Sequence, residues 1–524
     1  NPDLDVLGFT RRGGPTNGTG NQIFNDISTD EGATWDTTGV IYSNSAFPAR
    51  YPSGALYNPA GNIDINNLYS ISAGSARNGN ASISATYISW KKRSGVAKNY
   101  VLNHGNTLRQ DRNHFQICDN GKFYLNGYAH VDNGMQYTKW VHTLVSGTLN
   151  AATDTIDNLT TTIINPPFAK FGTDTVGSAH YSSAVAFNKS GTVGYYVFIG
   201  VRGDVPNPET KTGFRPIVYK TTDGGTNWNI QPDFNFDTIK DIRNMLPGVW
   251  QDTSSVRVFF DGIDDVAVDA NDNLHILSYI YGQSTTSIDS IGWHWTYDSI
   301  QGIMYDTYMT SVGWNSTVID FQKTMDYMPI NTGEIEIKNR LQIGLSTDGY
   351  NVFYSWADSD PNAATENRSP DIYIAGRHID SAAVRSKTNI TAGTSLEHRG
   401  RMHTMAPQIK QIGENFQAYI IITKFDSIED GFPVHYLYLT DVGYNMMNTG
   451  TNFPVHIIDQ PMMDQTVCLQ NSANFQVNTE TGTPPNHLSV AVSKRFHMEQ
   501  CFEWNPYGSG LFKCGHQHDV CFGN

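Results

Sequence analysis

Six polar or charged residues each stand at the head of a similar segment: Arg50, Gln110, His180, Asp261, Lys338 and His403. Gathered around one axis, they would line a pocket of mixed charge. Within it, an arginine fork suits a carboxylate, which it grips through two parallel hydrogen bonds. The plainer reading is a hydrated channel rim. A second group is Cys514-Gly515-His516-Gln517-His518-Asp519-Val520-Cys521, with Cys501 and His497 nearby. Thiols and imidazoles suit zinc, but this spacing is not a zinc pattern. In an oxidising compartment, disulfide pairing among Cys468, Cys501, Cys514 and Cys521 is the better reading. A third group, Asp358-Ser359-Asp360-Pro361-Asn362, resembles the start of a calcium loop but lacks the glycine and the distal glutamate. Asp358, Asp360 and Asn362 are the one metal option, and no other cofactor is expected. No Gly-x-Ser-x-Gly, phosphate loop or dinucleotide fingerprint occurs.

The elements that must position these groups are strands. Ala49–Tyr57 turns at Pro59-Ala60-Gly61, Phe115–Cys118 at Asp119-Asn120-Gly121, and Ala179–Phe187 at Lys189-Ser190-Gly191. Val266–Val268 turns at Ala270–Asn273, Leu341–Leu345 at Thr347-Asp348-Gly349, and Ile409 at Gly413-Glu414-Asn415. Each is an apolar strand, a turn built from residues that tolerate positive φ, and a second apolar strand, which is a hairpin signature. A looser copy joins Phe475-Gln476-Val477 to Leu488–Val492. The spacing leaves room for four strands per unit. Four-stranded units repeated radially are the blades of a propeller. The one helix expected is Asp237–Leu246, with apolar residues at helical spacing and a Pro247-Gly248 stop. Val6–Phe9, Gln22–Phe24 and Gly39–Ile41 read as the later strands of a blade whose first strand comes from the C-terminal region near residue 475. The expected fold is therefore all-β, a seven-bladed propeller over residues 1–495, with six blades as the alternative. A short Cys/His-rich tail follows over residues 496–524.

Composition sets the class. The chain has 524 residues, of which 39% are hydrophobic and 16% charged. That excludes a disordered chain and leaves a surface of Asn, Thr, Ser and Gly. The net charge is −15, without a basic block, so a nucleic-acid partner held through phosphates is not expected. No apolar run approaches the roughly 20 residues of a spanning helix, so direct membrane insertion is not expected. The sequence opens on Asn1 and reads as an already processed chain.

Ser28-Thr29-Asp30-Glu31-Gly32-Ala33-Thr34-Trp35 fits Ser-x-Asp-x-Gly-x-Thr-Trp, and Thr221-Thr222-Asp223-Gly224-Gly225-Thr226-Asn227-Trp228 is a near match. These resemble the Asp-box, or BNR repeat, of sialidase-like propellers. The resemblance implies closed turns. In them Ser28, Asp30, Gly32 and Trp35, and likewise Thr221, Asp223, Gly225 and Trp228, are structural. Sialidases of this kind use three arginines for the substrate carboxylate, an aspartate acid/base, and a tyrosine nucleophile helped by glutamate. Ala49-Arg50-Tyr51-Pro52 keeps the arginine and the proline of their opening motif, which sets Arg50 as the first clamp. Arg340 and Arg377 are its partners by blade position. No Tyr/Glu pair can be placed. Asp-Ser/Thr tripeptides, as at Asp36 and Asp154, resemble the O-glycosylation consensus of secreted Bacteroidota proteins, a group that often exports through the type IX route. The expectation is a secreted or cell-surface, non-catalytic module that binds a glycan or surface protein. A sialidase-type glycoside hydrolase is the alternative, and a structural coat or filament subunit the second alternative. Self-association or a membrane-anchored partner belongs with these readings.

Overall fold

In the computed structural model, residues 1–459 are described, apart from 14–21, 37–38, 79–82, 105–107, 133–136, 170–178, 206–213, 234–256, 261, 284–301, 328–335, 386, 414, 426–433 and 446–455. The expected helix over Asp237–Leu246, the strand near 475 and Cys468, Cys501, Cys514 and Cys521 lie outside these residues. No described helix is long and apolar enough to cross a membrane.

The described chain is all-β. Strands pair into sheets of three, four, four, four, five and nine strands, almost every pairing antiparallel. The nine-stranded sheet is two meanders, Gln342–Asn389 and Thr404–Asp459, joined by one short parallel pairing, Leu345 with Gln408 and Ser346 with Ile409. All six hairpins read from the sequence are present. Ala49–Tyr57 pairs with Tyr69–Arg77, Leu108–Ile117 with Lys122–Asp132, and Ala179–Phe187 with Gly194–Gly200. Asp265–Val268 pairs with Leu274–Gln283, Gln342–Ser346 with Asn351–Asp358, and Gln408–Ile412 with Asn415–Phe425.

The reason lies in the turns. Gly61, Gly121, Gly191, Gly349 and Gly413 all adopt positive φ, between 64° and 79°. That is the left-handed region that side chains rarely enter. The strands between the turns bury apolar residues on both faces. Ala73, Ile71 and Phe115 pack between one pair of sheets, and Val197, Ile276 and Val266 between another.

The first strands of successive sheets neighbour one another. The last sheet packs on the first. Trp35 meets Tyr438 edge-to-face at 5.8 Å, and Phe9 meets Tyr436 at 5.1 Å. Lys410 Nζ lies 2.8 Å from Asp5 and 2.9 Å from Glu31. Glycines allow close approaches between the N-terminal sheet and its neighbours on either side. A Cβ at Gly54 would sit 1.9 Å from Thr10 Oγ1, and one at Gly32 would sit 1.9 Å from the Tyr438 ring.

Candidate functional site

The two ends of this arrangement differ. The hairpin turns gather at one end, together with two Asp-centred turns. In the first, Asp30 accepts from the Thr34 amide at 2.9 Å and from its hydroxyl at 2.6 Å, while Ser28 Oγ accepts from Gly32 N at 2.8 Å. In the second, Asp223 accepts from the Asn227 amide at 2.9 Å, and Thr221 Oγ1 accepts from Gly225 N at 2.9 Å. Each tryptophan closes its own turn. Trp35 Nε1 donates to Gly32 O, and Trp228 Nε1 to Gly225 O, both at 3.1 Å. These hydrogen bonds hold both aspartates below the ordinary carboxylate range, Asp223 at about 2. The groups are satisfied locally, so the structural reading of these eight residues accounts for them.

The opposite end carries the cations. Arg12 closes Leu7–Arg12, Arg50 opens Ala49–Tyr57, and Arg77 closes Tyr69–Arg77. Antiparallel pairing therefore brings all three to the end away from the turns, with Arg50 opposite Ser75. They are 8%, 3% and 7% exposed. Arg50 donates to its neighbour's carbonyl, Ala49 O, at 2.8 Å. Burial, and then the charges of Arg12 and Arg77, push the Arg50 guanidinium well below its ordinary pKa. Burial likewise lowers Arg77. A cluster of like charges taken out of water is costly, and an anion placed among them relieves that cost.

The same end holds other groups read from the sequence. His403 is fully buried, with Nε2 3.1 Å from Gln342 Nε2 and 3.1 Å from Ser355 Oγ. Burial, and then Arg340, push it down to about 3, so it is neutral. Burial pushes Arg340 down to about 10. Lys338 pairs with Glu336 at 3.1 Å and stands before the Gln342–Ser346 strand rather than in it. Gln110 and His180 fall on the strands Leu108–Ile117 and Ala179–Phe187, but their side chains lie outside the described residues, as does Asp261. Three non-glycine residues with left-handed φ mark this end: Tyr51 at 49°, Arg340 at 50° and Met402 at 47°. Such strain persists only where the surroundings fix it, and it concentrates at binding sites.

Two expectations are corrected. Arg377 is not a partner of Arg50. It is fully buried between sheets, where its Nη2 meets Asp306 at 2.9 Å and its Nε donates to Tyr354 Oη at 2.8 Å. Asp358 is not aimed at a cation site. Its carboxylate accepts from Lys323 N at 2.7 Å, Thr324 N at 3.1 Å and Thr324 Oγ1 at 2.6 Å. Asp360 is occupied in its own turn, accepting from Asn362 N and Nδ2 at 2.9 Å. No group of three or more metal-ligating side chains occurs among the described residues.

The sequence reading missed two things. Arg12 and Arg77 carry no motif; strand pairing brings Arg77 to Arg50, and the packing of one sheet on the next brings Arg12. The second is a buried ion cluster. His275 places Nδ1 3.0 Å from Asp306 and Nε2 3.4 Å from Asp269, and Arg377 and Tyr354 meet the same Asp306 oxygen. Burial opposes every charge here, yet the partners outweigh it. His275 is held above its ordinary pKa, and Asp306 and Asp269 below theirs.

No protein-family model and no curated protein matches the sequence. Among solved structures, the chain is similar to the Hadza microbial sialidase Hz136, at 8% identity over 74% of this chain and 73% of that one, with a TM-score of 0.35. It is also similar to the Trypanosoma rangeli sialidase in complex with sialic acid, at 10% identity over 75% and 54%, TM-score 0.35. A third is the PL25 ulvan lyase bound to -[GlcA(1-4)Rha3S]-, at 10% identity over 82% and 95%, TM-score 0.35. At such low identity and overlap these likenesses assign no residue and no activity to this chain.

Proposed function

We propose that this chain is a seven-bladed propeller of Asp-box type that works at the cell surface or outside the cell as a glycan-binding module. Its recognition site is the end that carries Arg12, Arg50 and Arg77, and its ligand is a sugar bearing a carboxylate or another acidic group. The observation that supports this is the clustering of three guanidiniums on two neighbouring sheets. Burial and mutual repulsion both disfavour those charges, so a planar anion gains two-pronged hydrogen bonds and relieves the crowding at once. The left-handed Tyr51 beside Arg50 adds a fixed backbone at the same place.

The test is retention on an array of acidic and neutral glycans by the native protein and by Arg50→Ala. Retention of acidic glycans by the native chain, falling at least tenfold in the variant, is the expected result. Equal retention by both, or retention of neutral glycans alone, would sink the proposal.

A second reading, a sialidase-type hydrolase, draws on Tyr51, which is buried and couples electrostatically to Arg50 and Arg77. It needs a carboxylate beside that phenol. One tyrosine hydrogen-bonded to a carboxylate, Tyr354 on Asp306, lies elsewhere, buried with Arg377. Sugar release from sialylated glycans, lost in Tyr51→Phe, would favour the hydrolase. Its absence leaves binding.

A further inference from the structure

A cavity of about 870 Å³ opens at the turn end, away from the arginines. Five of the six hairpin turns lend it residues, and the N-terminal and last sheets supply the rest of its wall. Its charge is one-sided. Asp3, Asp5, Glu31, Asp119, Asp272 and Asp348 line it, against two lysines, Lys189 and Lys410. A seventh acid, Asp269, is spent on His275. Both lysines are already engaged. Lys410 Nζ sits on Asp5 and Glu31, and Lys189 Nζ donates to Thr347 O. Asp3, Asp119, Asp272 and Asp348 form no ion pair among the described residues. The turns use these aspartates only in part. Asp272 Oδ1 accepts from Asn188 Nδ2 at 2.8 Å, and Asp348 Oδ1 from Tyr350 N at 3.1 Å. In neither does a hydrogen bond among the described residues reach Oδ2. Burial lifts the Asp119 carboxyl above its ordinary pKa; Lys189 opposes the rise and Asp3 adds to it. A second feature is independent of charge. Two large apolar side chains stand in water on the same lining. Ile63, just past the first turn, is 93% exposed, and Tyr350, just past the fifth, is 43% exposed with its ring parallel to His378. Exposed apolar tips around a concavity mark a place where something docks.

We propose that this cavity is a second binding site, and that it takes a segment of a partner protein in which lysine or arginine alternates with apolar residues. Charge complementarity selects a cationic ligand, because the open carboxylates outnumber the cations beside them. Their placement selects a chain over a small amine. Asp119, Asp272 and Asp348 stand on three different turns and Asp3 on the N-terminal segment, so one ammonium cannot answer them all. A lysine or arginine lays its aliphatic stem on apolar surface while its head reaches an acid, which suits Ile63 and Tyr350 beside these carboxylates. The face of Tyr350 adds attraction for a cation. Lys410 already shows the arrangement within the fold, with Nζ between two carboxylates and beside Tyr419. The volume lies within the roughly 300–1,000 Å³ of ligand sites and exceeds what one side chain fills. This site is at the end opposite Arg12, Arg50 and Arg77, so the inference stands apart from the glycan reading. With both, the protein holds an acidic sugar at one end and a basic partner at the other.

The test is fluorescence anisotropy on the full chain with labelled synthetic peptides. One alternates leucine with lysine and arginine; in the second glutamine replaces every cation, and in the third glutamate does. The basic peptide should bind at least tenfold tighter than the glutamine peptide, more weakly as salt rises, and the glutamate peptide should not bind. Asp119→Asn with Asp348→Asn keeps side-chain shape and turn preference, and should weaken the basic peptide at least tenfold. Ile63→Ser alters a side chain almost wholly in water, so the fold is untouched, and should weaken it at least threefold. Three outcomes would overturn the proposal: no binding of the basic peptide or equal binding of the glutamine one, unchanged affinity in both variants, or full displacement of the peptide by an equal concentration of spermidine, which would make the cavity a small-amine site.

Discussion

Two buried sets of charges in this molecule are built on opposite plans. Between the fifth and sixth sheets, Asp269, His275, Asp306 and Arg377 alternate in sign, and Tyr354 supplies a further donor to Asp306. At the end away from the turns, Arg12, Arg50 and Arg77 share one sign. The first set neutralises itself, so its purpose is met within the fold. It ties Leu274–Gln283 and Ile303–Thr310 to Asn351–Asp358 and Asp371–His378. The second gathers one sign in one place, and an anionic ligand would add the opposite sign there. Burial alone therefore does not mark a functional group. The balance of charge around it does.

The comparison can be broken most sharply at Asp306. Asp306→Asn removes the anion shared by His275 and Arg377, leaving Arg377 without that carboxylate and His275 with Asp269 alone. A loss of about 3–5 kcal/mol in denaturant unfolding is expected. A loss under about 1 kcal/mol would show that the cluster is not what joins these sheets.

Arg50→Met should move stability the other way. Removing one of three crowded charges and keeping the side-chain volume is expected to raise stability by about 1 kcal/mol while abolishing retention of acidic glycans. A variant destabilised as strongly as Asp306→Asn would erase the distinction between the two sets.

Acid sharpens it further. The folded pKa of His403 is pushed down to about 3, as is that of His142, both by burial. A depressed folded pKa contributes stability that is present above the unfolded value near 6.5 and is lost as pH falls toward 3. His275 has the opposite sign: held above its ordinary value, it contributes stability below that value, lost as pH rises through the raised one. Unfolding midpoints measured across pH should therefore fall on the acid side in the native protein. A variant carrying His142→Phe and His403→Gln should lose part of that slope. An unchanged slope would contradict the assignment.

The smallest effect belongs to Lys410→Ala. Its partners Asp5 and Glu31 are more than half exposed, and such pairs are worth about 0.2–1 kcal/mol, shrinking with salt. A larger loss, insensitive to salt, would mean that this lysine holds the last sheet to the first by more than surface charge.

Much of the scaffold was legible because hairpin turns announce themselves locally. Asp119-Asn120-Gly121 and Thr347-Asp348-Gly349 carry the needed glycine within a few residues of the strands they join. The two Asp-centred turns were legible for the same reason. Arg50 was singled out from the sequence with Pro52, two residues on. Arg12 and Arg77 were not, because their meeting with Arg50 depends on one strand pairing and one sheet-on-sheet contact spread over more than sixty residues. Arg377 was misread for a related reason. Its blade position does not show which face of its strand it occupies, and that face looks onto Asp306. His275 stood in the strand after the Ala270–Asn273 turn, and nothing local signals two carboxylates around its ring.

The contact between Lys410 and Asp5 spans 405 residues. During synthesis at roughly 5–20 residues per second, the N-terminal sheet waits on the order of 20–80 seconds for the sheet that covers it. Throughout that interval Phe9 and Gly32 have no Tyr436 or Tyr438 to pack against. The N-terminal sheet is thus among the last to be finished. It is also where a chaperone, or a wrongly paired neighbour, has the longest opportunity to bind.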